Sequence, residues 1–220
     1  MTTTVKEFIR AWPILKKQVR TFQLPWLENL SVRDRDPFKV LISCILSLRT
    51  QDKTTGAASE RLFSLASTPE AMTRLSVGTI EKTIYPAGFY RVKARTIKDI
   101  SSEIVDKYRS RVPDTMEGLL TLKGVGRKTA NLVLTRGFDK YGICVDTHVH
   151  RIMNRWGLVA TKSPDETELV LREILPKRYW KDLNGILVAY GQRICKPISP
   201  LCSFCGISSF CDKRGVRKHR

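Results

Sequence analysis

Apolar positions recur along this chain with the period of a helix. Val149, Ile152, Met153 and Trp156 fall at i, i+3, i+4 and i+7, and Ile97, Ile100 and Ile104 draw a similar stripe between Arg95 and Tyr108. Each stripe predicts an amphipathic helix. Ser163-Pro-Asp-Glu166, ahead of Leu169-Val-Leu and Ile174-Leu, is a capping box with proline at the first helical position, so another helix is predicted to start there. The intervening segments are short: Thr68-Pro69, Pro86-Ala-Gly88, Val112-Pro-Asp114 and residues 137–142. No run alternates apolar and polar residues between turn signals for long enough to predict a sheet. The pattern predicts an all-α protein of about ten helices. The longest apolar run, Val40 to Leu48, holds nine residues including two serines, whereas a membrane-spanning helix needs roughly 20.

Charge changes this picture. Lys and Arg number 39 against 21 Asp and Glu, a net charge of +18 over 220 residues, which speaks for a polyanionic partner, nucleic acid before membrane. Only the stretch from Lys213 to Arg220 reads as a solvated basic tail. Local concentrations lie in Arg91-Val-Lys-Ala-Arg-Thr-Ile-Lys98 and between Lys123 and Lys128, and at this net charge they predict a binding face. The N-terminus, Met-Thr-Thr-Thr-Val-Lys-Glu, lacks an apolar targeting region. An intracellular protein is expected, cytoplasmic and nucleoid-associated in a prokaryote or nuclear in a eukaryote. Thiols there stay reduced, so the six cysteines call for a reading other than disulfides.

Four of them, Cys195, Cys202, Cys205 and Cys211, follow the spacing C-x6-C-x2-C-x5-C. Only one pair has the close spacing of a zinc hairpin, and the unequal intervals suit an iron-sulfur cubane better than tetrahedral zinc. Cys44, in an apolar run, reads as a small buried hydrophobe. A second feature is Leu119-Leu-Thr-Leu-Lys-Gly-Val-Gly-Arg-Lys-Thr-Ala130, a helix ending at Leu122, a tight glycine turn, and a new helix from about Arg127. This helix-hairpin-helix lets backbone N–H groups approach a phosphate. A third is Val145-Asp-Thr-His-Val-His150, in which Asp146 opens an amphipathic helix and taken alone is a plain N-cap. His148 and His150, two positions apart on a helix, point to different sides and each reads as a satisfied structural histidine.

Leu122-Lys-Gly-Val-Gly-Arg-Lys-Thr-Ala-Asn131, then Val145-Asp-Thr-His148 with Arg151, then the four-cysteine pattern, occur here in the order that characterises the endonuclease III family of helix-hairpin-helix DNA glycosylases. The resemblance runs from about Phe38 to Cys211. It implies an all-α, two-lobed fold, with a helical barrel over residues 30–138 and a second lobe joining 1–29 to 139–220. It implies a 4Fe-4S cluster on Cys195, Cys202, Cys205 and Cys211, and DNA bound across the cleft between the lobes. The activity implied is that of a base-excision glycosylase and abasic-site lyase, acting as a monomer on oxidised pyrimidines in duplex DNA. The family nucleophile matches Lys128 and the family aspartate matches Asp146. A lysine nucleophile must be neutral to attack C1′, which desolvation and neighbouring cations favour. The carboxylate would stabilise the cationic sugar, and the base must leave the stack first.

DNA contacts are expected from Arg49, Gln51, Phe89, Arg91, Lys93, Lys123, Gly124, Val125, Gly126, Arg127 and His148, with Arg91, Lys93 and Lys123 on phosphates. Two of these positions depart from the family pattern. In Leu46-Ser47-Leu48-Arg49-Thr50-Gln51-Asp52, Arg49 stands where the family's gap-filling glutamine is usual; Gln51 follows two residues on, and because helix residues two apart do not share a face, Gln51 is not expected to take its place. Gly88-Phe89-Tyr90 replaces the usual wedge Gly-Leu-Tyr. A guanidinium offers donors only, so Arg49 is expected to favour guanine opposite the lesion over adenine, unless it turns to a phosphate. The alternatives are a mismatch-specific glycosylase of the same fold, which ordinarily lacks the lysine, and a non-catalytic iron-sulfur DNA-binding protein, which leaves Lys128 and Asp146 as coincidence.

Overall fold

The computed structural model describes residues 3–22, 26, 30 and 34–220. Among the described residues all regular structure is helical, with eleven α-helices. They divide into two compact units, Trp26–Gly142 and Met1–Pro25 with Ile143–Arg220. Both boundaries lie four residues outside the 30–138 range expected for the barrel.

The first unit holds α2 (Pro37–Ser47), α3 (Asp52–Leu65), α4 (Pro69–Arg74), α5 (Val77–Ile84), α6 (Tyr90–Tyr108), α7 (Met116–Thr121) and α8 (Arg127–Leu132). The last continues into a π-helical turn, Val133–Gly137. Asp36 starts α2 by accepting from the N–H groups of Phe38 and Lys39 at 2.7 and 3.1 Å, and Pro37 presets the first helical residue. Phe38 and every residue from Val40 to Leu46 are buried. A helix apolar on all sides belongs at the centre of its unit, and α3, α6, α8 and the π-turn pack around it. The one hydroxyl on the way, Ser43, meets Ser59 of α3 at 3.3 Å.

The helix carrying Ile97, Ile100 and Ile104 starts at Tyr90, five residues before the stripe announces it. Its first turn inverts the usual polarity: Val92 is 62% exposed and Lys93 is 5% exposed. An apolar residue outside and a lysine inside hide the helix from a periodicity reading.

The second unit holds α1 (Val5–Val19), α9 (Thr147–Trp156), α10 (Pro164–Ile174) and α11 (Trp180–Arg193). A full capping box between Thr4 and Glu7 begins α1. The Phe8 ring lies 5.2 Å from the rings of Trp12 and Trp156 and 5.3 Å from that of Tyr179. The N-terminal helix is thus a core element of the C-terminal unit. Ser163 caps α10 through the Glu166 N–H at 3.2 Å, while the Glu166 carboxylate takes the N–H of Lys162 instead of the reciprocal N-cap bond. Beyond α11 the chain turns through the cysteine segment in two short 3-10 turns, Cys202–Phe204 and Ser208–Phe210.

Candidate functional site

In the first unit α7 ends at Thr121 and is followed by its C-cap Leu122, whose carbonyl accepts from the N–H of Val125 at 3.0 Å. Gly124 takes φ +86°, which an L side chain resists, and a Cβ there would sit 3.0 Å from Thr96. Val125 turns inward, 6% exposed, and anchors the hairpin. Gly126 is an extended N-cap without a side-chain cap bond, and nothing lies within 4 Å of where its Cβ would be. The first backbone bond of α8 is Ala130 to Gly126 at 2.9 Å. The N–H groups of residues 127–129 therefore precede the intrahelical ladder, at the positive end of the helix. Lys123 is exposed beside Asp99 at 4.0 Å. Lys128 is half-buried on the first turn of α8. Its charge reaches the Cys44 thiol, which burial pushes up to about 12.

Two tight turns meet in the same unit. Residues 48–51 link α2 to α3 without being helical: Arg49 has φ +52° and Gln51 is the extended N-cap of α3. The helical face that separated Gln51 from Arg49 does not exist, because the chain reverses there. Gln51 is exposed and makes no side-chain cap bond. Phe89, with φ +58° and 60% exposed, leads into α6. The Arg49 guanidinium lies over the Phe89 ring, 5.5 Å from its centre, and exposed Arg91 lies over Tyr90 at 5.4 Å. Both are cation–π distances.

Lys93 corrects the phosphate-contact expectation. Its amine points into the unit, donating to the Leu46 carbonyl and the Thr50 hydroxyl at 2.6 Å each. Burial lowers its pKa to about 8. An amine held this way cannot serve a phosphate at the surface. No signal in the sequence distinguished it from Arg91 or Arg95, which are exposed on the same helix.

In the second unit Asp146 caps α9, its Oδ1 accepting from the N–H groups of His148 and Val149 at 2.9 Å each. Among the described residues no hydrogen bond falls on Oδ2. His148 Nδ1 lies 3.1 Å from Arg151, and His150 Nδ1 lies 2.7 Å from the Thr167 hydroxyl. Arg151 donates to the Cys195 carbonyl and so ties this helix to the cysteine segment.

Cys195, Cys202, Cys205 and Cys211 border one cavity whose remaining wall includes Ile152, Ile194, Leu201 and Ile207. Among the described residues no three His, Cys, Asp or Glu side chains close on a single-ion point; the four thiols surround a space. Three of the sulfurs have a donor beside them. Arg155 approaches Cys195 at 3.6 Å, the Tyr190 hydroxyl Cys205 at 3.1 Å, and the Lys213 N–H Cys211 at 3.4 Å. Burial raises the pKa of Cys205, Cys202 and Cys211, the last to about 11; the neighbouring cysteines push in the same direction, while the Tyr190 hydroxyl at Cys205 and the Lys213 N–H at Cys211 pull back down. A converging set with donors on its sulfurs is a place for thiolates offset by metal charge. Tyr190, Gln18 and Arg155 were not read from the sequence. Gln18 receives the Gly206 N–H at 3.0 Å and meets the Tyr190 hydroxyl at 3.1 Å, across separations of more than 170 positions.

Comparison with known proteins bears on these arrangements. The HhH-GPD superfamily, base excision DNA repair proteins, matches residues 42–177. Endonuclease III of Thermotoga maritima is 48% identical over 82% of this chain and 84% of its own length. The chloroplastic endonuclease III homolog 2 of Arabidopsis thaliana is 45% identical over 79% of this chain, which spans 47% of that longer protein. Among solved structures, a trapped endonuclease III–DNA covalent intermediate matches with a TM-score of 0.84 at 31% identity, over 96% of both chains. A thermostable thymine-DNA glycosylase matches at 0.80 and 26%, over 94% of this chain and 96% of its own.

Proposed function

The chain belongs to the HhH-GPD superfamily of base excision DNA repair proteins, and from that premise we propose that Lys128 and Asp146 carry a glycosylase and abasic-site lyase reaction on oxidised pyrimidines in duplex DNA. The observation that carries the reading is Lys128 itself. It stands on the first turn after a glycine hairpin shaped to receive a phosphate, so binding the backbone and presenting an amine to the adjoining sugar are done by one short segment.

The steps follow from the groups. A neutral Lys128 amine attacks C1′ of a nucleotide extruded from the stack, and the bond from C1′ to the damaged base breaks as the base departs with its electron pair. Loss of a proton from the nitrogen and opening of the sugar give a Schiff base. Removal of a C2′ proton then expels the 3′ phosphate by β-elimination, and water releases Lys128. Asp146 holds its helix with Oδ1, which leaves Oδ2 for the cationic sugar and the lysine proton. Lys123, Arg127 and the hairpin N–H groups hold phosphates.

Cys195, Cys202, Cys205 and Cys211 would hold a 4Fe-4S cluster, with Arg155, Tyr190 and the Lys213 N–H beside its sulfurs. Its role is to order the cysteine segment, since breaking an N-glycosidic bond moves no electrons to an acceptor. The thymine-mismatch and non-catalytic readings both leave Lys128 without work.

Lys128→Ala is expected to abolish covalent trapping on abasic-site duplex with borohydride while duplex binding persists. Trapping at the unmodified level would remove Lys128 from the mechanism.

A further inference from the structure

We propose that Lys93 is a positioning residue that locks the Arg49 turn to the Phe89 turn, so that the two side chains enter the duplex as one insertion element. The proposal rests on the glycosylase reading for its purpose and on the geometry of the two turns for its content.

The Arg49 turn needs an external hold. Arg49 sits in the left-handed region, where a residue other than glycine is strained. Its local bonds are few: Leu48 N–H to the Ile45 carbonyl at 3.3 Å and Thr50 N–H to the Ser47 carbonyl at 3.2 Å. The carbonyl between them, Leu46, belongs to the last turn of α2 and takes its bond from Lys93. The same amine donates to Thr50 Oγ1. That oxygen also accepts from the Gly88 N–H at 3.1 Å, and its own proton goes to the Leu48 carbonyl at 3.3 Å. A hydroxyl has one donor and two acceptor sites, and here all three are used. Lys93, Thr50 and Gly88 are therefore one closed set of bonds beneath both turns.

The turns also touch through their backbones. A Cβ on Gly88 would lie 2.4 Å from the Arg49 carbonyl oxygen, so the approach exists only because residue 88 has no side chain. Above it the Arg49 guanidinium covers the exposed Phe89 ring. A groove bordered by Leu48, Phe89, Val92, Thr96 and Gly124 leads from this pair to the hairpin, with Lys93 contributing to its lining.

The amine is costly where it stands. It is 5% exposed, no carboxylate accompanies it among the described residues, and burial lowers its pKa. The C-terminal end of α2 offsets part of that cost. Packing alone would be served as well by an apolar side chain. What an apolar side chain cannot supply is the pair of directed bonds to Leu46 and Thr50 that fixes where Arg49 leaves the backbone.

The test places 2-aminopurine opposite a tetrahydrofuran abasic analogue and reads its fluorescence on binding, and measures single-turnover excision of a thymine glycol lesion in parallel. Lys93→Met and Thr50→Val should each blunt the fluorescence change and slow excision by about 10- to 100-fold, the range a 1 Å misplacement produces. Thr50→Ser should restore both. Adding Arg49→Ala to Lys93→Met should cost less than about twofold more, because the first substitution has already uncoupled Arg49. Melting temperatures verify folding, and if Lys93→Met fails to fold, Thr50→Val and its pairing with Arg49→Ala decide. Unchanged fluorescence and rates, or losses that multiply with Arg49→Ala, overturn the proposal. Failure of borohydride trapping in the unmodified protein would count against Lys128 and leave the fluorescence arm standing.

Discussion

At the residue scale, Asp146 caps its helix with one oxygen, and the proposed reaction assigns the other to the sugar. Both capping bonds use Oδ1, and an asparagine oxygen makes the same bonds nearly as well. Asp146→Asn is therefore expected to keep the melting temperature within a few degrees while excision falls by about 100-fold or more, the scale of a lost general base or charge stabiliser. Retained turnover would reduce Asp146 to a cap. Arg49 and Lys93 teach the opposite lesson. Both are basic residues near the expected interface, yet one lies over an exposed ring and the other turns inward onto a carbonyl and a hydroxyl. Their difference is in their neighbours and not in their chemistry.

At the element scale the hairpin separates folding from binding. Gly124 has φ +86° and a neighbour 3.0 Å from its missing Cβ, whereas Gly126 is extended with open space before it. Gly124→Ala should destabilise the protein by about 1–2 kcal/mol, the cost of a left-handed residue, in denaturant unfolding. Gly126→Ala should destabilise the protein less, only by replacing glycine with a poorer N-cap residue, and weaken duplex binding, since the added methyl occupies the space a phosphate would use. Equal effects of the two substitutions on stability would refute this division. The hairpin was legible in the sequence because its elements are contiguous: helix end, glycine turn and helix start follow one another within a dozen residues. The turn at 48–51 carries no glycine or proline to announce it, and the left-handed Arg49 that makes the reversal depends on contacts from α6.

At the scale of the whole molecule, +18 predicts binding that weakens steeply with salt. Cationic side chains such as Arg91, Lys123 and Arg127 release counterions and backbone N–H groups do not, so about three to six neutralised phosphates give a slope of log K against log salt of roughly −3 to −5. A flat response in titrations from 50 to 300 mM salt, roughly the range over which such slopes are read, would exclude a phosphate-binding face. The helical class, the caps of α9 and α10, the glycine hairpin with Lys128 and the cysteine spacing are legible without any structure. Each of these is set by residues within a few turns of one another, where backbone geometry alone relates position to direction. The inward turn of Lys93, the junction of Thr50 with Gly88 and Lys93, and the support that Gln18 and Tyr190 give the Cys205 segment from distant helices come from long-range packing. A lysine or glutamine has a long stem that reaches outward or inward equally well, and what settles it is whether packing brings an unpartnered carbonyl or sulfur within its reach.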